Sequence, residues 1–294
     1  MMKRIFAIFF LSSIALCASA QKKSSGAIQF ESTIDPAAMM AASGIKLSEQ
    51  VAARIPSSSK SQFELLFTAT NASYMPVEDN EDSNGAGGGN RGGFGRMMRF
   101  AGMGGAREYY YSFADKKLTE VFDVSDTTYY MASKLQLSTK NQMPAFRANP
   151  NDSGKVKPMV PPVIEVVKTD STRKIIGFNC KEVIVKSTRK VKILDVERNV
   201  TDETHIWYTT ELGFDFSPNP NLWTEGTVLA IDARGTSTTA KSIEYRNVSI
   251  KDVTAPKKAK LITEEEYQAK LEAMMKRFRG NRTGGGAVRT ITVN

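Results

Sequence analysis

The chain has 294 residues, 41% of them hydrophobic, and a formal net charge of +9. That length suits one large domain or two small ones, and that apolar content permits a real core. A single histidine excludes a metal site built on histidine pairs. No segment after residue 20 carries the ~20 apolar residues that a membrane-spanning helix needs.

Lys3 and Arg4 precede a mostly apolar run from Ile5 to Leu16, and Ala18-Ser19-Ala20 supplies the small residues of a cleavage site before Gln21. This pattern predicts a secretory signal over residues 1–20, cleaved after Ala20. The protein is therefore expected outside the cytoplasm, without a transmembrane helix, where nucleic acid and nucleotide cofactors are scarce. Neither nucleic acid nor any cofactor is an expected ligand. Cys17 falls inside the signal, and Leu16 before it fits a lipid-acceptor cysteine badly. Cys180 is then the one remaining cysteine, which leaves no intrachain disulfide.

Residues 21–260 read as one β-rich domain. Ala27–Thr33 alternates as a first strand, with Ile28 and Phe30 on one face and Gln29 and Glu31 on the other. Asp35-Pro36 reads as an N-cap and first-turn proline, opening a helix to about Arg54. Gln62–Thr70 and Ala72–Val77 follow as strands. Residues 78–107 combine an acidic patch with a Gly-rich tract bearing Arg91, Arg96, Arg99 and Arg107. This composition cannot offset its ordering entropy, so a disordered insertion is expected.

Tyr109–Phe113, Leu118–Val124 and Thr128–Ala132 read as strands with turns at Asp115-Lys116 and Ser125-Asp126. A polar, Pro-containing connection covers Ser138 to Pro162. Arg173–Thr188, Val191–Asn199, Glu203–Thr210, Thr227–Ala233 and Thr239–Ile250 are rich in branched and aromatic residues, and each predicts one strand. A Pro- and Asn-rich loop interrupts them at 211–226. Thr263 and Glu266 form a capping box that opens an amphipathic helix over 261–279. Tyr267, Leu271, Met274, Met275 and Phe278 share one of its faces, Gly280 ends it, and 280–294 reads as a disordered tail.

Few residues suggest catalysis. His205 sits in a predicted strand with no Gly-x-Ser-x-Gly elbow in the chain, so a polar strand position suits it better than a triad. Cys180 reads as a small buried side chain, because Lys181 beside it points to the opposite face. Gly87 to Gly92 matches Gly-x-Gly-x-x-Gly, but an acidic coil precedes it instead of a strand. The Arg/Gly/Phe tract resembles RNA-binding segments, which export makes irrelevant. Contact of Arg91, Arg96, Arg99 and Arg107 with an anionic surface is the reading that remains open. The carboxylates of Glu264 to Glu266 are explained by the helix dipole. Trp207, Tyr208, Phe214 and Trp223 flank the 211–226 loop, where they line a pocket or simply pack the core.

Three segments carry a resemblance: Phe63-Glu64-Leu65-Leu66-Phe67 leading to Ser73-Tyr74, then Ile176-Gly177-Phe178-Asn179-Cys180-Lys181-Glu182, then Ile206-Trp207-Tyr208-Thr209-Thr210-Glu211-Leu212. In order and spacing they resemble the GLPGLI family of exported Bacteroidota proteins, or a closely related exported domain. The namesake hexapeptide is missing. Trp223-Thr224-Glu225-Gly226-Thr227-Val228 stands in its place, with Gly226 as the echo. The resemblance implies a curved antiparallel sheet with helices against its concave face, similar to lipoprotein carriers of the bacterial envelope. The family has no established activity, so it implies no catalytic residue.

The expected fold is mainly β (α+β): a curved antiparallel half-barrel with an N-terminal and a C-terminal helix packed on it. The expected function is non-enzymatic, in the periplasm or at the outer membrane. The concave face would bind an apolar or amphiphilic ligand, or an outer-membrane partner, through Trp207, Tyr208, Phe214, Trp223, Met274 and Phe278. One alternative is a surface-interaction protein that uses the basic Gly-rich loop on lipopolysaccharide or glycan. Another is an envelope hydrolase.

Overall fold

The computed structural model describes residues 24–42, 58–77, 107–124, 127–138, 162–193 and 196–283. Within them the chain is mainly β. One curved sheet of twelve strands runs in the order β12-β6-β5-β4-β3-β2-β1-β11-β10-β9-β8-β7.

β1 (Gly26–Ile34) is followed by the short helix α1 (Pro36–Ala42), capped by Asp35, whose Oδ1 accepts from Ala38 N at 2.9 Å. β2 (Ser59–Phe67), β3 (Asn71–Pro76), β4 (Glu108–Ser112), β5 (Lys117–Val124) and β6 (Thr127–Ser133) form one antiparallel meander. β7 (Val163–Ile175), β8 (Phe178–Ile193), β9 (Val196–Thr209), β10 (Thr227–Ala233) and β11 (Thr236–Glu244) form a second. β1 lies between β2 and β11 and joins the two. β12 (Lys260–Leu261) adds a two-residue parallel bridge on β6 before α2 (Glu264–Thr283).

Strand alternation gives the sheet two different faces. Ile28, Leu65, Tyr74, Tyr109 and Glu120 are successive cross-strand partners, so they share one face. Ile28, Leu65 and Tyr74 on that face are buried, as are Phe30, Phe67, Tyr111 and Leu118 beside them. The same face continues through Ala240, Ile231, Ile206 and Val183 in the second meander. Gln29, Glu31, Glu64 and Ser73 point the other way. The segment after β11 crosses this outer face, where Ser73 Oγ donates to Asp252 O at 2.7 Å.

The inner face curls inward. The ring of Phe216 lies 5.7 Å from Phe30 on β1 and 5.4 Å from Tyr111 on β4. Three strand spacings, roughly 14 Å, separate β1 from β4 along the sheet. The two outer rings cannot be farther apart than those two short distances together, so the face must be concave around Phe216. The loop 211–226 therefore fills the middle of the concavity. At its far end Leu222 and Trp223 pack against Val183, Ile206, Tyr208 and Val228.

The two helices pack on different parts of the sheet. α2 begins on the inner face, where Tyr267 meets Phe122 edge to face at 4.8 Å beside Val124 and Ile262. α1 lies at the β10–β11 turn, with Asp35 N donating to Gly235 O at 2.8 Å. The capping box forms as expected. Thr263 N donates to Glu266 Oε2 at 3.0 Å, and Glu266 N to Thr263 Oγ1 at 3.2 Å. α2 passes through Gly280 and reaches Thr283, because the intact ladder tolerates one glycine at a cost of about 1 kcal/mol.

Two expected strands are each split between two: Val191–Asn199 straddles the β8–β9 connection, with Ile193 opposite Val196. The stretch Arg173–Thr188 holds a hairpin, with Ile175 opposite Phe178 across a turn at Ile176-Gly177. Both turn residues have positive φ, 44° and 97°, the two-residue turn whose twist matches its flanking strands. A β-branched isoleucine is an unusual occupant there, and it hides the turn from a reading by residue type. β7 also begins at Val163, directly after Pro161-Pro162. The expected helix beyond residue 42, the insertion at 78–106, the turn at Ser125-Asp126 and the tail after 283 lie outside the described residues.

Candidate functional site

The concave face opens at one side into a cleft of about 710 Å³. Its walls come from three places: the β4–β5 turn, the chain leaving β6, and the 211–226 loop. Phe113, at the start of the turn, stacks on Phe214 with centroids 4.9 Å apart and planes at 18°. The Phe67 ring lies 5.3 Å from that of Phe214, tilted to it by 36°. Leu135 and Trp223 complete the apolar wall.

The loop is held by its backbone. Tyr111 Oη donates to Ser217 O at 3.0 Å, and Trp223 Nε1 to Gly226 O at 2.9 Å. Thr227 Oγ1 donates to Phe214 O. The stretch after β6 runs beside it like a further strand. Gln136 N donates to Pro220 O at 2.9 Å, and Ser138 N to Asn221 O at 3.0 Å. This pairing carries Lys134 and Leu135 to the cleft. Gly226 has φ 61°, and a Cβ there would stand 2.6 Å from Thr209 O, so only glycine fits this corner.

The cleft is rimmed by charge. Lys116 and Lys117 come from the β4–β5 turn and Lys134 from the end of β6. Glu225 and Asp215 are its carboxylates. The bond from Lys168, then that from Tyr208, hold the Glu225 carboxyl below the usual range against the opposing effect of burial. Burial, then Glu225, push the Tyr208 phenol up to about 12.

The structure brings Phe214 and Trp223 together here, with Tyr208 reaching Glu225 from the core beneath. Trp207 is elsewhere. It pairs with Glu182 and Ala230 on the outer face, and Arg173 lies 4.6 Å over its ring. The side chains of Met274 and Phe278 fall outside the described residues, as do Arg91, Arg96 and Arg99. Arg107 is described, and its guanidinium is occupied. It meets Glu120 at 2.6 Å and Tyr267 Oη at 3.0 Å, and it lies over the Phe122 ring.

Lys116, Lys117, Lys134 and Phe113 were not singled out from the sequence. They reach Phe214 and Trp223 only through the strand order, and no local spacing announces that meeting.

On the outer face, His205 Nδ1 lies 2.7 Å from Glu182 Oε1, and Thr169 Oγ1 donates to Glu182 Oε2 at 2.8 Å. Burial raises the Glu182 carboxyl, but the bonds from His205, Thr169 and Ser171 outweigh it and keep it below the usual range. Cys180 is fully buried, and that burial pushes its thiol up to about 11.

No family model matches the chain, and no curated protein matches it. Among solved structures it is similar to PNGF-II in the C2 and P21 space groups, at 10% identity and TM-scores of 0.45 and 0.44. The match covers 85% of this chain and 33% of PNGF-II, so the chain spans about a third of that protein's length.

Proposed function

We propose that the chain is an exported, non-enzymatic binding protein of a bacterial envelope, a divergent relative of the GLPGLI family, that holds an apolar or amphiphilic ligand. The cleft carries this reading: an apolar wall of Phe113, Leu135, Phe214 and Trp223 open to solvent at the mouth of a curved sheet. Ligand sites are concave and mostly apolar, with a few polar groups to fix orientation. The pattern of residues 1–20 supports export. The outer-face chemistry supports a role without catalysis. Cys180 is held as a buried thiol, and the His205 ring is fixed on Glu182, with no nucleophile positioned on it among the described residues.

The test is native mass spectrometry of the chain expressed with its own leader and purified gently from the envelope fraction. A discrete added mass is expected on the chain beginning at Gln21. The Phe214→Ala, Trp223→Ala double variant should lose it while keeping the far-UV spectrum of the sheet. Recovery of the chain from the cytoplasm with residues 1–20 attached, or a bare mass from the envelope, would overturn the reading.

A further inference from the structure

The ligand's chemistry can be read from the cleft's charges. Resting on the reading of this cleft as the binding site, we infer that it takes an amphiphile with one anionic head, a carboxylate or phosphate, held by Lys116, Lys117 and Lys134, its apolar part lying along Phe113, Phe214 and Trp223.

Lys116, Lys117 and Lys134 all line the rim of the cleft, and among the described residues none has an ion-pair partner. Several other lysines of the sheet are paired, although among the described residues Lys174 and Lys181 are not. Lys60 and Lys241 meet Glu31 at 3.3 and 3.2 Å, and Lys186 meets Glu203 at 3.1 Å. The rim's own carboxylates do not balance it. Glu225 is taken by Lys168 from outside the cleft and by Tyr208 from below, which leaves Asp215, and Asp115 bonded to Ser112 at the same turn, against three cations. Gathering like charges costs free energy, and an incoming anion recovers it.

The backbone points the same way. Lys116 has φ 49°, in the left-handed region where Gly, Asn or Asp is the usual occupant. A lysine there carries backbone strain, and such strain gathers at binding sites.

The size and wall fix the other half of the ligand. A cleft of about 710 Å³ lies within the range of roughly 300–1,000 Å³ that holds drug-sized molecules. The apolar wall gives free phosphate no reason to stay, whereas an alkyl chain or ring buries surface there at about 25 cal/mol per Å². Ammonium groups act as point charges, not planar forks, so phosphate and carboxylate heads both suit them.

The two tryptophans permit a direct test. Trp207 is on the other face, so full-length Trp207→Phe protein leaves Trp223 as the sole tryptophan reporter. It would be titrated at low salt with dodecyl phosphate, with 1-monolauroylglycerol and with inorganic phosphate. Dodecyl phosphate is expected to shift Trp223 emission with a Kd at least tenfold below that of the neutral glyceride. Inorganic phosphate should leave the emission unmoved. Adding Lys117→Gln and Lys134→Gln should erase the preference, with near-UV circular dichroism confirming the fold. Equal affinity for the two amphiphiles would overturn the anionic head and leave the amphiphile site standing. A shift with inorganic phosphate alone would overturn the apolar part. Silence from all three would overturn the site itself.

Discussion

Phe216 touches rings from β1, β3 and β4 at once, and it is fully buried. Truncating such a side chain removes its transfer free energy and leaves a cavity, so Phe216→Ala should cost about 3–5 kcal/mol by urea denaturation. Phe216→Leu should recover more than half of that loss. Two glycines make a sharper comparison. Gly177 has φ 97° but open space around the missing Cβ, so Gly177→Ala pays only for backbone strain, about 1–2 kcal/mol. Gly226→Ala adds a clash with Thr209 O and should exceed about 3 kcal/mol. Equal losses for the two would mean that the 211–226 corner can yield. Such details are unevenly legible in the sequence. Ile28 and Phe30 alternate with Gln29 and Glu31, which prints a half-buried strand directly. Ile176 carries no turn signal, and its left-handed backbone is imposed by the strands it joins.

At the scale of elements, α2 is fastened at its first turns. Arg107 links Glu120 of β5 to Tyr267, and the Tyr267 ring lies on Phe122. The Glu120 side chain is 6% exposed and that of Arg107 28%, so this is a largely desolvated pair whose rupture strands a charge. Arg107→Met should loosen α2 by about 2–3 kcal/mol. Hydrogen exchange should show faster amide exchange across 264–283 while β1 to β3 stay protected. Uniform loss across the sheet would mean that α2 folds as one unit with it. The Thr263–Glu266 cap was legible because a helix start is written within four residues. The Arg107–Tyr267 link was not, since its partners lie far apart in the chain. Arg107 also stands at the end of an arginine-rich tract, where composition suggests a free surface charge. The same distance hid the cleft. Phe214 and Trp223 lie in one loop and were found together, whereas the three lysines arrive from another part of the sheet.

For the whole molecule, acid is the revealing stress. Glu182 and Glu225 have carboxyls held below the usual range, and so does Glu31, through Lys241 first and then Lys60. A lowered folded value contributes stability that is complete above the unfolded value, about 4.3 for glutamate. That stability drains away as pH falls through the folded one. The urea midpoint should therefore hold level from pH 7 to 5 and drop from about pH 4.3 downward. Glu182→Gln should flatten the slope of that drop whatever it does to the plateau. A midpoint that ignores acid would remove these three groups from the balance.

The seam between β1 and β11 has a consequence for how the molecule comes into being. β1 occupies the middle of the finished sheet, and one of its two partners, β11, lies far from it in the chain. Until residues 236–244 have emerged, β1 offers an open row of backbone donors and acceptors along the future midline. The chain must carry that unsatisfied edge while everything between the two strands is made. Contacts so distant in sequence form slowly, so a chain with this topology stays loose until β11 is available. Severing β11 would then remove the line along which the two meanders become one molecule.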